Sequence, residues 1–311
     1  MSAVARRLHT GVRSHTADRV LLGLTALACL TILAMLVIVV GDVVIGGSHV
    51  LSWDFISKPP TDGMMKGGIF PAIFGTVALT LLMTLAAVPA GVATAVYLTE
   101  YASSSSWVAR AIRVSIANLA GVPSIVFGLF GLGFFIATIG RGIDSAVYGG
   151  RSVYGQPCLL WAALTLAILT LPVVVVSTEE ALRAVPRELR DASLAVGATK
   201  FQTVTRVVLP EALGGILTGS ILAVSRGAGE VAPILFTGAA YFLPYLPTKL
   251  NDQFMNLGYH VYVLATQSPD VDRTKPLLYG TVLVLLTLTF LLNLVAVLIR
   301  ARTRRRARSA L

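Results

Sequence analysis

The stretch LLWAALTLAILTLPVVVVSTEEALRAVPRELRDASLAVGATKFQTVTRVVLP, residues 159–210, decides the fold. Its first part, Leu159–Val176, carries no charged residue. That is close to the roughly 20 apolar residues a helix needs to cross a bilayer. Its second part is a charged connector that ends at a proline, after which apolar sequence resumes. An apolar run, a polar link and another apolar run are the pattern of a chain that crosses a membrane repeatedly.

Working outward, six apolar stretches are long enough, or nearly so, to span: Leu21–Val40, Ile69–Tyr97, Val114–Ile139, Leu159–Val176, Leu213–Ala240 and Leu277–Ile299. The second, third and fifth are longer than the bilayer requires, which implies tilt or projecting ends. Continuous runs such as TILAMLVIVV (31–40) exclude the alternating strands of a barrel. Lipid offers no partner for free backbone groups, so each run is expected to be helical. The first run is longer than the core of a secretory signal and is expected to be retained as a helix.

Composition agrees. Of 311 residues, 55% are hydrophobic and 13% charged, and the mean hydropathy is +0.79. A soluble domain carries about 25% charged residues. The net charge of +10 is not spread evenly. With the N-terminus inside, the inner segments hold 17 Lys and Arg and the outer ones 7. That bias puts both termini in the cytoplasm. The Arg-rich tail then reads as a topology determinant beside anionic membrane lipid, with no nucleic-acid role. Cys29 and Cys158 lie in or beside apolar runs and have neither metal spacing nor a disulfide framework.

No motif for covalent chemistry is present. None of the five lysines follows a glycine, so no phosphate-binding G-x-x-x-x-G-K loop exists. The four histidines are scattered, and no G-x-S-x-G elbow occurs. A membrane-embedded hydrolase or metalloprotease is therefore not expected. If the protein runs on ATP, a separate subunit must supply the ATPase, so that this chain would bind no cofactor of its own and ATP and Mg would sit on partner ATPase subunits.

The connector predicts two short helices. The first spans about Arg187–Val196 and enters at Pro186, which suits a first helical turn. Gly197 provides the stop. The second is expected to begin near Thr199 and end before Pro210. Leu189, Leu194 and Val196 would form an apolar knob among Arg187, Arg190 and Asp191. An exposed helix pair of this kind suits docking to another protein, or merely connects two spans.

The spacing Asp191-Ala192-Ser193, three residues, Gly197, nine residues, then Val207-Val208-Leu209-Pro210 resembles the EAA loop of ABC importer permeases. Asp stands where that pattern has Glu, Ser replaces its second Ala, and Val its Ile. The resemblance implies that Asp191, Ala192, Gly197, Leu209 and Pro210 belong to coupling helices seated in a groove of the ATPase.

The fifth stretch places Arg226 and Glu230 four residues apart, on one face if the helix is continuous. Charges at mid-bilayer cost about 2.5–3.5 kcal/mol on insertion scales and normally face an interior or a path. Two uses are open: an oxyanion contact by the guanidinium fork, or a self-neutralising pair that ties helices together. Gly215, Gly219, Ala223 and Gly227 repeat every four residues, a ladder for close helix packing. Pro233 is expected to kink the outer end. Asn118 and Pro123 interrupt the third run, either as a kink with a locally satisfied amide or as lining of a pathway.

Arg226-Gly-Ala-Gly-Glu-Val-Ala-Pro-Ile-Leu-Phe-Thr237, together with Gly121-Val-Pro-Ser-Ile-Val-Phe-Gly128, resembles the signatures of phosphate importer permeases of the PstA type. That resemblance implies an all-α polytopic protein with six transmembrane helices and the type-I ABC importer permease fold. It implies translocation of inorganic phosphate by alternating access, with Arg226 and Glu230 on the substrate pathway. It also implies four kinds of partner: a second, PstC-type permease, two PstB-type ATPase subunits, an external PstS-type phosphate-binding protein, and membrane lipid. Permeases for sulfate, molybdate or phosphonate are the near alternatives, and a secondary transporter the remote one. The expected organisation is a cytoplasmic tail (1–20), a first helix with its external loop (21–68), a permease core (69–299) containing the coupling loop (179–210), and a basic tail (300–311).

Overall fold

A computed structural model of the chain describes residues 15–61, 66–103, 105–268 and 270–309. Most of the expected N-terminal tail and the last two residues of the basic tail lie outside the described residues. The described residues are mainly helical, with irregular segments between Tyr148 and Cys158 and between Gly238 and Asn256, and a two-residue β-ladder in which β1 (Pro60–Thr61) pairs antiparallel with β2 (Lys66–Gly67).

Six helical segments are long and apolar enough to cross a membrane. Helix α1 (His15–Ser48) is the first, and the short α2 (Trp53–Ser57) follows it. Then come α3 (Phe70–Val96), continued by a π-helical turn at Tyr97–Tyr101, and the separate helix α4 (Trp107–Ala120). Helix α5 (Ser124–Phe130) runs through a π-helical stretch, Gly131–Gly140, into α6 (Arg141–Val147). Helix α7 (Leu159–Arg183) leads to α8 (Arg187–Ala195) and α9 (Lys200–Thr203). A π-helical turn, Val204–Val208, joins α9 to α10 (Leu209–Ala228), and α11 (Ile234–Thr237) follows after a break. The chain ends with α12 (Leu257–Thr266) and the long α13 (Val271–Ser309).

The centre is α3, α7 and α10. One buried cluster joins Leu79, Met83 and Ala87 of α3 to Ala162, Ala163 and Leu166 of α7. A second joins Ala95 and Leu98 to Val175, Leu182, Val208, Ala212 and Ile216. The small-residue ladder makes the α7–α10 contact. A Cβ on Gly215 would lie 2.5 Å from the Ala181 Cβ, and one on Gly219 would collide with Ser177. Gly227 is closed off by Met83 and Thr170. Helix α1 stands apart, with most of its large side chains exposed. It leans on α13 where Gly46 and Gly47 meet Tyr279, whose hydroxyl donates to Asp42 at 2.9 Å.

Three boundaries differ from those read in the sequence. The third span is Ser124–Val147, not Val114–Ile139. Gly121, Val122 and Pro123 end α4, because a proline disfavours helix in the residue before it. Helix α4 is a separate piece capped by Ser106. The second connector helix does not stop before Pro210. It continues unbroken from Lys200 to Ala228. The π-helical turn takes the Leu209 N–H back to the Val204 carbonyl just ahead of Pro210, so the missing proline donor falls where the helix is already re-registered. The fifth helix in turn ends at Ala228 instead of reaching Ala240.

Helix α12 has no counterpart among the expected spans. Asn256 caps it, and the Leu257 N–H donates to Thr76 Oγ1 at 2.9 Å, which seats the loop before α12 on α3.

The α7–α10 contact predicts a packing effect. Gly215→Val adds atoms where Ala181 already stands, and overpacking costs about 1–3 kcal/mol. The purified variant should unfold at lower temperature than wild type. Gly214→Val, on an open face of the same helix, should shift it less.

Candidate functional site

Two regions carry functional candidates, and one continuous helix joins them. The first is the connector. Helix α8 ends in a Schellman arrangement: Gly197 N–H donates to the Leu194 carbonyl at 3.0 Å, and Ala198 N–H to Ser193 at 3.2 Å. Gly197 has φ +88°, and a Cβ there would meet nothing within 4 Å. The requirement for glycine is therefore conformational and not steric. Thr199 and Gln202 form a reciprocal capping box that starts α9. Ser193 Oγ and Thr203 Oγ1 lie 2.9 Å apart and link the two helices. Asp191 and Ala192 sit in α8, Leu209 and Pro210 in the first turn of α10.

Arg190 anchors this unit. Its Nη1 donates to the Val185 carbonyl at 2.6 Å, and its Nη2 to Leu182 at 2.7 Å and to Glu100 Oε1 at 2.9 Å. Leu182 lies in the last turn of α7 and Val185 just beyond its end, where carbonyls run short of intrahelical donors. Arg190 thereby fixes α8 to α7 and to the turn that extends α3. Leu189 and Leu194 remain exposed and Val196 is 86% exposed, which is the apolar knob; exposed Phe201 extends it. Phe201 was not among the expected knob residues, although its place two residues after Thr199 marks it as first-turn surface of α9.

The second region is the break after Ala228. Gly229 N–H turns back to the Arg226 carbonyl and Glu230 N–H to Gly227, both at 3.3 Å. Arg226 and Glu230 thus do not share a helix face: Glu230 lies beyond the helix end. Gly227, Gly229 and Pro233 give that end its cause, since two weak helix formers precede a residue that cannot donate. The pair still approaches to 3.7 Å, from Arg226 Nε to Glu230 Oε1. The Arg226 guanidinium makes no hydrogen bond among the described residues, and its side chain is 47% exposed against 21% for Glu230.

Depth follows from the neighbours. Gly227 packs on Met83 and Thr170, near the midpoints of α3 and α7. The break therefore stands near the middle of the membrane, and Glu211 to Ala228 fill one half of it. Thr237, at the other end of the segment, accepts from Cys158 N–H at the start of α7.

The two sequence signatures meet here. A Cβ on Gly128 would lie 3.0 Å from Pro233 Cα and from Phe236 Cδ2, and one on Gly131 would lie 2.6 Å from Thr237 Cγ2. The glycines of α5 and its π-helical extension let that span cover the broken segment. Asn118 stays exposed at the end of α4 and takes no part in the contact. Among the described residues no cluster of His, Cys, Asp or Glu could hold a metal ion.

Six spans, a docking-shaped connector and a charged helix break at mid-membrane define a polytopic transport permease. The chain matches the family described as "Binding-protein-dependent transport system inner membrane component" over residues 87–309, and it belongs to that family. It is 36% identical over 241 residues to "Phosphate transport system permease protein PstA 1" of Mycobacterium tuberculosis, covering 77% of this chain and 73% of that one. It is 31% identical over 272 residues to the Haemophilus influenzae "Phosphate transport system permease protein PstA", covering 87% and 89%. It is 34% identical over 220 residues to "Probable ABC transporter permease protein YqgI" of Bacillus subtilis, covering 71% and 70%. Solved structures share the fold. One is a bacterial alginate ABC transporter (TM-score 0.62, 17% identity, 94% of this chain and 96% of that one). Another is the MetNI methionine ABC transporter (TM-score 0.55, 18% identity, 75% and 94%).

Gly197→Val forces a β-branched residue into the left-handed region, at about 1–2 kcal/mol. The variant should insert normally but bind its ATPase more weakly in pull-down from membranes, and Gly197→Asn should be milder. Equal ATPase retention by all three forms would leave the Gly197 turn without a docking role.

Proposed function

We propose that this chain is the permease subunit through which inorganic phosphate enters the cytoplasm by alternating access, driven by separate ATPase subunits. The observation that carries the reading is the helix break near mid-membrane, where a half-exposed arginine stands beside one carboxylate in a chain similar to named phosphate permeases. A guanidinium offers paired donors to a tetrahedral oxyanion. Its Nε faces Glu230 at the edge of ion-pair reach, and the Nη donors stay uncommitted. Glu230 orients the fork and keeps the empty site close to neutral.

The remaining parts fall into place around that site. A related second permease completes the pathway across the exposed face of α10. Two ATPase subunits receive the α8–α9 pairs of the two permeases, and Asp191, Ala192, Gly197, Leu209 and Pro210 form this chain's coupling element. An external phosphate-binding protein delivers substrate. ATP-driven closure of the ATPases moves the coupling element, and Lys200–Ala228 carries the motion to Arg226 as a rod of 29 residues, about 43 Å at 1.5 Å per residue.

Uptake of labelled phosphate with sulfate as competitor, in vesicles holding the whole complex, tests substrate and site together. Arg226→Gln should abolish uptake, and Arg226→Lys should impair it strongly because lysine lacks the fork. Glu230→Gln should impair it too, with assembly intact in all three. If the pair is only scaffold, the single variants lose assembly, as an uncompensated buried charge costs about 3–5 kcal/mol. An Arg226→Gln/Glu230→Gln double variant that transports normally would sink the pathway role.

Both termini are placed in the cytoplasm by the basic-residue bias. A cysteine at Val196 should resist an impermeant thiol reagent in intact cells, whereas one at Ser268 should react. External modification of position 196 would reverse the orientation.

A further inference from the structure

A second charged region lies at the base of the coupling element and is not used by the transport reading. An open cavity of about 640 Å³ is enclosed by the end of α3, by α4, by the end of α7 and by α8. Its walls carry Arg113 of α4, Arg183 of α7, and Arg187 and Arg190 of α8, against the two carboxylates Glu100 and Asp191. Arg190 is already satisfied by Glu100 and the carbonyls of Leu182 and Val185. Arg113 and Arg183 share one carboxylate just behind the wall: Arg183 Nη2 lies 2.8 Å and Arg113 Nε 3.5 Å from Glu179. Arg187 has no ion pair among the described residues. The hydroxyl of Thr99, also in the wall, is buried without a hydrogen-bond partner. The cavity therefore has an excess of cationic donors and one unanswered hydroxyl.

We propose that this cavity binds a phosphate group, held chiefly by Arg183 and Arg187 with Arg113 beside them. Guanidinium forks match phosphate oxygens in geometry as well as charge. The volume lies in the range of small-molecule sites and admits either a free anion or a lipid headgroup. Basic pockets between membrane helices on the cytoplasmic side are suited to anionic headgroups. The consequence is mechanical. Arg183 ends α7 and Arg187 begins α8, with only Ala184, Val185 and Pro186 between them. An anion bridging the two pins the coupling helix to the transmembrane core. Occupancy of the cavity then sets how freely α8 moves when an ATPase pulls on it.

The test measures backbone hydrogen exchange over residues 187–198 in the assembled transporter, held in nanodiscs. Discs of phosphatidylcholine alone are compared with and without millimolar inorganic phosphate. Discs containing phosphatidylglycerol are compared without phosphate. Binding should slow exchange in this segment. Slowing by phosphate in phosphatidylcholine assigns the site to a free anion, and slowing by phosphatidylglycerol alone assigns it to lipid. Arg183→Gln with Arg187→Gln should raise the half-saturating concentration about tenfold or more, since two charge-assisted bonds are lost. Should that double variant fail to assemble, Arg187→Gln alone, whose side chain holds no ion pair, should still weaken the response severalfold. No slowing under any condition, or slowing unchanged in these variants, overturns the proposal. Phosphate bound at Arg226 would not depend on Arg187, so failure here leaves the transport reading standing.

Discussion

A helix may break inside a membrane only where protein, and not lipid, surrounds the freed backbone groups. That constraint organises this molecule. The break after Ala228 is enclosed by α3 and α7 on one side and by α5 on another. Gly128, Gly131 and Gly227 give the enclosing helices the room to come close. Each of these glycines faces a neighbour that a methyl group would strike. The ladder at Gly215 and Gly219 extends the same contact down α10. Packing without side chains on one stripe is what lets a charged, unwound segment exist on the next.

The two functional candidates are parts of one body. The rod from Lys200 to Ala228 is anchored at its Lys200 end through Thr199, Ser193 and the Arg190 contacts, and stops at its other end beside Arg226. Its π-helical turn at Val204–Val208 lies just ahead of Pro210 and keeps the helix continuous there. The connector and the charged break are therefore joined by one continuous helical segment. The weak point for such coupling is instead the short Ala184–Pro186 link, and it is there that four arginines gather.

Much of this could be read in the sequence, for physical reasons. Hydropathy finds spans because lipid forbids polar surface, and all six were legible. Gly197 was legible because a stop between two amphipathic segments demands positive φ. Arg226 and Glu230 were legible as costly residues in an apolar run, but their relation was not. The segment GAGEVAP is apolar enough that hydropathy runs straight through it, so the helix end was masked and the pair seemed to share a face. The role of Arg190 was hidden because Glu100 lies 90 residues away in the chain. Helix α12 was missed because ten residues are too few to span, and only its seat on Thr76 explains its place. The Gly121-Val-Pro123 signal was visible, yet local sequence cannot distinguish a kink from a full break.

The exposure of Arg226 carries the argument one step further. In the single chain its side chain is about half uncovered, on the outward face of α10 near mid-membrane depth. Glu230 offsets its charge only partly, since 3.7 Å is the edge of ion-pair reach and the Nη donors stay free. A guanidinium left so at the bilayer centre would carry much of the insertion cost of about 2.5–3.5 kcal/mol. Lipid cannot be its neighbour in the working protein. Either water or another polypeptide must cover that face, and the family to which the chain belongs transports solutes. A wet path closed on its far side by a second subunit satisfies both demands, because water solvates the guanidinium while protein excludes lipid. The chain's own fold supplies the charge and the break, and the proposed pathway needs a second subunit to close it.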